Sequence, residues 1–217
     1  TKTIYEIHFT SGDIENGNLN LTSLIFGDKK DLILKENTTL YQITTTDNQN
    51  NTEYDDISKI QLGECEQILK SVYKIADNLP LIIFKVDHFV PGIEIPVIGY
   101  DIFHPTNKSK LDLKYCNDSI VNFQIPVSLD ENKLFKYDPN SEYYTDECSS
   151  YTTEDGTDIL LNDRHDDYNN NNYSLCEQNC SFVEYEKDTK KAKCDCNIKS
   201  KDLMISEIMD EENILAK

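Results

Sequence analysis

Hydrophobic residues in this chain fall in short runs separated by polar turns. The clearest runs cover residues 81–86, 93–103 and 120–127, and the last of these alternates apolar with polar positions. Prolines inside such runs are typical of edge strands or β-bulges. Runs spaced about 10 to 15 residues apart, with turn residues between them, predict an antiparallel β-sandwich.

The first quarter of the chain has the same pattern. We predict short strands near Ile4–Phe9, Leu19–Phe26, Leu32–Leu34 and Leu40–Thr45, because these runs are apolar and rich in branched residues. The polar stretch 46–56 predicts an exposed loop or linker. A further strand is expected over residues 111–116.

One amphipathic helix is predicted between Ser58 and Ala76, with Ser58 as its N-cap. Its apolar residues recur at three- and four-residue steps, which is the helical period. They are Ile60, Leu62, Cys65, Ile68, Leu69, Val72, Tyr73 and Ala76.

The predicted fold class is therefore mostly β: an antiparallel sandwich with one packed helix plus a small disulfide-braced C-terminal module. We divide the chain into an N-terminal β region (1–56), a helix plus β-sandwich region (57–135), an acidic, cysteine-rich module (136–200) and a tail or short helix (201–217). The third segment has few apolar residues besides tyrosines.

Seven cysteines are present, and four of them define the C-terminal module. Cys176-x3-Cys180 and Cys194-x-Cys196 flank two short apolar stretches around a polar turn, which predicts a hairpin with the cysteine pairs side by side. An isolated hairpin is marginal, so we expect disulfides between the two pairs, in either order. Zinc is the alternative, but Cys-x-Cys is a poor match to structural zinc spacing.

The other three cysteines are further apart in the sequence. Cys65, on the predicted helix, and Cys116, at a predicted strand end, are expected to pair. Cys148 is then left for the module or for an external partner. An odd count in a secreted chain suggests a thiol outside the segment or a free thiol.

The chain carries seven Asn-x-Ser/Thr sequons, where its Asn, Ser and Thr content would give about three by chance. We expect N-linked glycans at several of them. The acceptor asparagines are Asn20, Asn37, Asn50, Asn107, Asn117, Asn172 and Asn179. Asn37, Asn107 and Asn117 are best placed, because each lies in a polar turn.

The net charge is −19, from 40 acidic and 21 basic residues. Such a balance argues against nucleic acid and against anionic membrane surfaces, and it favours cations or a cationic partner. No cofactor is implied, although Asp155 and Asp158 flank a Gly turn in a way that calcium could use. No run is long enough to span a bilayer, so contact with a membrane would come through a segment outside this chain.

We find no catalytic motif. Asp87-His88 and Asp101-x-x-His104 leave a Ser-His-Asp arrangement open, and an acidic chain leaves paired carboxylates open. The many tyrosines between residues 137 and 173 predict a sparse aromatic core, with sugar stacking as the alternative. There is no secretory leader at the start of the sequence, so we expect a processed segment of a secreted protein.

The end of the cysteine module resembles the GPS (autoproteolysis) motif of adhesion receptors and polycystin-like proteins. Cys180, Cys194, Cys196 and Asn197 match it, whereas Ile198-Lys199-Ser200 stand where the family has its cleaved tripeptide. This resemblance implies a position near a membrane without self-cleavage. More broadly, the stretch from Lys136 through Cys196 is similar to cysteine-rich, membrane-proximal ectodomain segments of uncharacterised protist surface proteins.

These observations predict a non-enzymatic extracellular or cell-surface glycoprotein domain. We expect it to be a structural, adhesive or assembly unit of a cell surface or an extracellular fibre, with protein partners or copies of itself. Two alternatives stay open: a secreted, carboxylate-dependent, carbohydrate-active hydrolase, and a calcium-dependent binding module.

Overall fold

Two four-stranded antiparallel sheets form the framework of the computed structural model. It describes residues 10–26, 30–51, 54–91, 94–153, 155–170, 173–177 and 179–198. The first sheet has the order β1-β2-β4-β5 and the second the order β3-β6-β8-β7. The predicted mostly-β sandwich is confirmed.

The strands are short and every neighbouring pair is antiparallel. Their bounds are β1 Leu32–Glu36, β2 Thr39–Thr45, β3 Lys59–Gln61, β4 Ile82–His88, β5 Val97–Phe103, β6 Ile120–Pro126, β7 Cys180–Glu186 and β8 Lys191–Asn197. The helices are α1 Ser11–Glu15, α2 Thr22–Ile25, α3 Thr46–Asn51, α4 Glu64–Tyr73, α5 Glu142–Thr145 and α6 Leu161–Asn170. The described residues also form two 3₁₀ turns, Leu113–Cys116 and Glu131–Lys136.

The main core lies between the two sheets. Apolar side chains of β4 and β5, such as Ile83 and Ile102, pack with Val121 and Phe123 of β6 and with the inward-facing residues of β8. Alternate residues of β6 are buried, so the period-two pattern of the sequence marks the face that meets the core.

A second core covers the other face of the first sheet. Ile14 of α1 and Leu21 and Leu24 beside or within α2 pack with Tyr41 and Phe84 of β2 and β4. All seven residues of β2 and of β4 are buried as a result. A strand covered on both faces favours a near-continuous apolar run, which explains residues 81–86, where Lys85 is the single polar residue.

Helix α4 is the predicted packed helix, but it is shorter than residues 58–76. Residues 59–61 form strand β3, paired with β6, and Ser58 is not an N-cap. The Ser58 backbone N–H and hydroxyl both donate to the Asp87 carboxylate, at 2.9 and 2.6 Å. This long-range contact fixes an extended backbone where the local period indicates a helix.

Three other local predictions are wrong. The run 19–26 contains helix α2, because Leu21 and Leu24, three residues apart, both face the second core. The stretch 46–56 contains α3, whose first turn is capped by the Thr45 hydroxyl. Residues 113–116 form a 3₁₀ turn whose Lys114 N–H is capped by Asp112.

Some predictions concern other residues. The strand near Ile4–Phe9, the tail 201–217 and Asn172 lie outside the described residues. No described helix is long and apolar enough to cross a membrane.

Three disulfides brace the sandwich. Cys65 of α4 is bonded to Cys116, as expected from the sequence. The order left open in the hairpin is Cys176–Cys194 and Cys180–Cys196. Strand β8 of this hairpin also pairs with β6, so the braced module completes the second sheet. These bonds are typical of an oxidising, extracellular or secreted environment.

Removing the Cys65–Cys116 bond should cost more stability than removing Cys180–Cys196. The cysteines of the first bond are 51 residues apart in sequence and those of the second are 16 apart. Loop-closure entropy therefore predicts that the free energy of unfolding falls by about 4 and about 3 kcal/mol, respectively. Cys→Ala pairs can be compared by guanidinium unfolding. Cys148→Ser, which removes the exposed free thiol, is the control and should change stability by less than about 0.5 kcal/mol. The reverse order of losses would contradict this ranking.

Candidate functional site

A buried ionic cluster lies inside the sandwich at the end of β4. Lys85 and Asp87 are fully buried, and the Lys85 Nζ lies 2.8 Å from Asp87 Oδ1 and 2.7 Å from Ser58 Oγ. Burial lowers the pKa of the Lys85 ammonium from its ordinary value, against the pull of Asp87. Ser58, just before β3, and Lys85 and Asp87 of β4 are thus linked to one another, and the cluster braces β3 against β4.

This cluster resembles a catalytic serine site in composition, but its geometry differs. Ser58 donates directly to Asp87, with no histidine between them. Ser58 is also almost fully buried, so a substrate would need the sandwich to open.

The histidines considered from the sequence make other contacts. His88 Nδ1 lies 2.8 Å from the Thr39 hydroxyl. His104 Nδ1 accepts the Thr106 N–H at 3.1 Å in a turn, and burial lowers its pKa. Asp101 accepts from Ser11 and pairs with Lys110 at 2.9 Å. The predicted absence of catalysis stays a prediction.

The sequon asparagines within the described residues are all exposed. They are Asn20, Asn37, Asn50, Asn107, Asn117 and Asn179. At Asn107 the Ser109 hydroxyl, the third residue of the sequon, donates to Asn107 Oδ1 at 2.8 Å. Each acceptor is therefore open to solvent on the folded surface.

Four of these six asparagines, Asn20, Asn50, Asn107 and Asn117, gather at one end of the sandwich, which we call the sequon end. Asn107 follows the end of β5, and Asn50 lies in α3 at the end of β2. Lys108 donates to the Leu19 carbonyl, which places Asn20 beside the Asn107 loop. Asn117 comes just before β6, and its neighbour Cys116 is bonded to Cys65 of α4.

Strand β3 and helix α4 bring Asn117 to the same end as Asn50. Asn50 Oδ1 accepts from Gln61 of β3, and Thr46 donates to Glu66 of α4 at 2.7 Å. Helix α4 is in turn bonded through Cys65 to Cys116, next to Asn117. Asn37 lies in the turn between β1 and β2, at the opposite end of the first sheet. Asn179 is two residues from Glu177, whose carboxylate accepts the Ile98 N–H at that same end.

The chain leaves β6 at its other end and enters an acidic stretch. We call residues 130–170 the acidic module from here on; this segment is narrower than the predicted cysteine-rich module 136–200. It contains 12 acidic and three basic residues and no sequon. Its small core is aromatic: Tyr143 and Tyr144 are buried and pack edge to face, with ring centroids 4.8 Å apart. These two tyrosines therefore form a core, as we expected.

Arg164 organises this module. The residue is 3% exposed, and its guanidinium donates to the backbone carbonyls of Tyr143, Asp146, Ser149 and Ile159, at 2.8 to 3.3 Å. It also lies over the Tyr151 ring, 4.8 Å from the centroid. One side chain thus holds together the loop 143–151 and the start of α6, although the sequence analysis did not identify it.

The calcium candidates lie on the surface of this module. Asp155 and Asp158 are exposed, and the Thr153 hydroxyl, which donates to Asp155, lowers the pKa of that carboxyl. Within the described ranges no group of three ligating side chains is arranged for a metal ion. Calcium binding stays untested.

A groove opens in the acidic module. It has a volume of about 310 Å³ and is lined by Glu147, Ser149, Ser150, Tyr151, Asp158, Ile159, Leu160, Leu161 and Arg164. Cys148, the exposed free cysteine, is in the same loop. No model of a known protein family matches this chain, and no curated protein is significantly similar to it.

Removing one partner of the Lys85–Asp87 ion pair should lower the free energy of unfolding more than replacing both partners with apolar residues. Lys85→Met leaves the Asp87 carboxylate buried without its cation and should lose about 3 to 5 kcal/mol of unfolding free energy. Adding Asp87→Leu removes the stranded charge, so the double variant should be more stable than either single variant. Urea unfolding of the four proteins gives the coupling energy. Losses that simply add would show that the pair is not coupled.

Arg164→Lys should loosen the acidic module selectively. Lysine keeps the charge but cannot span four carbonyl groups, because it lacks the planar fork of donors. Amides of residues 143–151 should exchange at least about tenfold faster, since a loss of about 1.4 kcal/mol of local stability has that effect. Amides of β4 in the same sample are the internal control. Equal acceleration in β4 would mean that Arg164 supports the whole fold.

Proposed function

We propose that this chain is a non-enzymatic, N-glycosylated extracellular domain that works by contact as a structural, adhesive or assembly unit. The observation that carries the proposal is the uneven distribution of sequons. Four exposed acceptors gather at the sequon end, whereas residues 130–170 of the acidic module contain none. Glycans would shield one end and leave the module free for a protein partner.

Several physical features support a role in contact. Three disulfides brace the sheets, which suits a domain that must keep its shape outside the cell. Two of the edge strands carry protective features: the Ile98 N–H on β5 is capped by the Glu177 carboxylate at 2.8 Å, and β7 has an irregularity between Phe182 and Glu184. Such features discourage unplanned strand pairing, so a specific contact would use side-chain surfaces.

The charge indicates the kind of partner. The acidic module holds nearly half of the net charge of −19 in less than a fifth of the chain. A basic protein surface would be attracted to it and would associate faster at low ionic strength. The similarity to membrane-proximal ectodomain segments of protist surface proteins is consistent with a position at a cell surface.

A carbohydrate-active hydrolase is the second candidate, because the groove places the Glu147 and Asp158 carboxylates on one opening. Hydrolysis would require one of them to act as acid and the other as base or nucleophile. Release of reducing sugar from a polysaccharide panel, lost in Glu147→Gln, would favour this candidate over the contact role.

Protein from its native source should carry glycans at the sequon end and should cluster beads through the acidic module. We expect a peptide map to show modification at Asn107 and Asn117 and at further sequons. Beads coated with the domain should bind beads coated with a basic protein, and binding should fall as salt rises past about 0.15 M.

Two results would contradict the proposal. All seven asparagines unmodified in native material would end the glycoprotein hypothesis. Beads that stay dispersed, whether with a basic protein or with each other, would end the contact hypothesis.

A further inference from the structure

The groove of the acidic module combines an apolar lip with carboxylates. Leu160 is 66% exposed, and Leu161 continues the apolar wall. Glu147 and Asp158 lie in the same lining and are exposed. An exposed leucine next to carboxylates suits a ligand that is both aliphatic and cationic.

The floor of the groove is held in place before any ligand arrives. Arg164 fixes the carbonyls of Asp146, Ser149 and Ile159, which flank Glu147 and support Leu160. A preformed site loses less conformational entropy on binding. The positive charge of Arg164 is directed at backbone carbonyls, and its side chain is buried.

The aromatic ring in the groove is already covered by other side chains. Tyr151 has the Arg164 guanidinium over its ring and stacks on Phe135 with centroids 5.6 Å apart. Neither a sugar ring nor a guanidinium has a free aromatic face there. A ligand that uses this groove must rely on aliphatic contact and charge.

We propose that this groove binds a lysine side chain within a lysine-rich segment of a protein partner. The four-carbon stem lies along Leu160, and the ammonium group reaches Glu147 and Asp158. The field of the surrounding module, with 12 acidic against three basic residues, steers the segment to it. This inference rests on the proposed contact function and names the partner chemistry of one surface.

The test measures binding of octalysine to the full chain by titration calorimetry at about 0.15 M salt, where long-range forces are screened. The variant Glu147→Gln/Asp158→Asn should weaken binding about tenfold, because it removes both carboxylates of the groove. The matched control, Asp163→Asn/Asp166→Asn, removes the same charge from exposed positions of α6 outside the groove. It should weaken binding about twofold or less.

A third variant tests the apolar contact. Leu160→Ser changes no charge and should weaken octalysine binding several-fold while leaving the melting temperature unchanged. Equal losses in the groove and control variants would overturn the inference, because binding would then follow the overall field alone. Undetectable binding of octalysine would also overturn it. Bead clustering would still report on the contact function separately.

Discussion

Strand β4 is buried on both faces and still carries a lysine and an aspartate, and most of the architecture is arranged around that constraint. A buried charge without a partner is expensive. Lys85 and Asp87 pair with each other, and Ser58 completes the cluster with two bonds to Asp87. Ser58 lies just before β3, which pairs with β6 in the second sheet. Its bonds to Asp87 of β4 therefore join the two sheets.

The acidic module also contains a buried charge, Arg164, that is satisfied by protein groups. It is too polar to form a large core, so a few tyrosines and one guanidinium hold it. Arg164 binds four backbone carbonyls, those of Tyr143, Asp146, Ser149 and Ile159, and so joins the loop 143–151 to the residues that lead into α6. The module therefore presents a defined surface in spite of its charge, which a contact role requires.

Alternation and apolar runs were enough to predict β2, β4, β5, β6 and the β7–β8 hairpin, because these strands bury a regular pattern of side chains. They failed where a distant residue decides the backbone. Ser58 looks like a helix cap until Asp87 is known to be its partner. Leu21 and Leu24 match a strand or a helix equally well in so short a run, and only the face of the first sheet distinguishes the two.

The disulfide hairpin could be predicted from spacing, but its order could not, since both pairings suit two adjacent strands. Register decides it: Cys180 lies opposite Cys196 across the β7–β8 ladder. Arg164 had one overlooked signal. It is the only arginine in the chain, and it lies among acidic and tyrosine residues. A lone guanidinium in that setting indicates an organising role.

The central claim is that the acidic module is the surface through which this domain makes contact, and a glycan placed there tests it most directly. Glu142→Thr creates a sequon at the exposed Asn140, whereas Glu142→Gln removes the same charge without one. The two proteins, expressed in glycosylating cells, can be compared in binding to basic-protein beads. We predict that the Thr variant loses binding and regains it after enzymatic glycan removal, while the Gln variant binds normally. Undiminished binding by the fully glycosylated Thr variant would contradict contact through the acidic module.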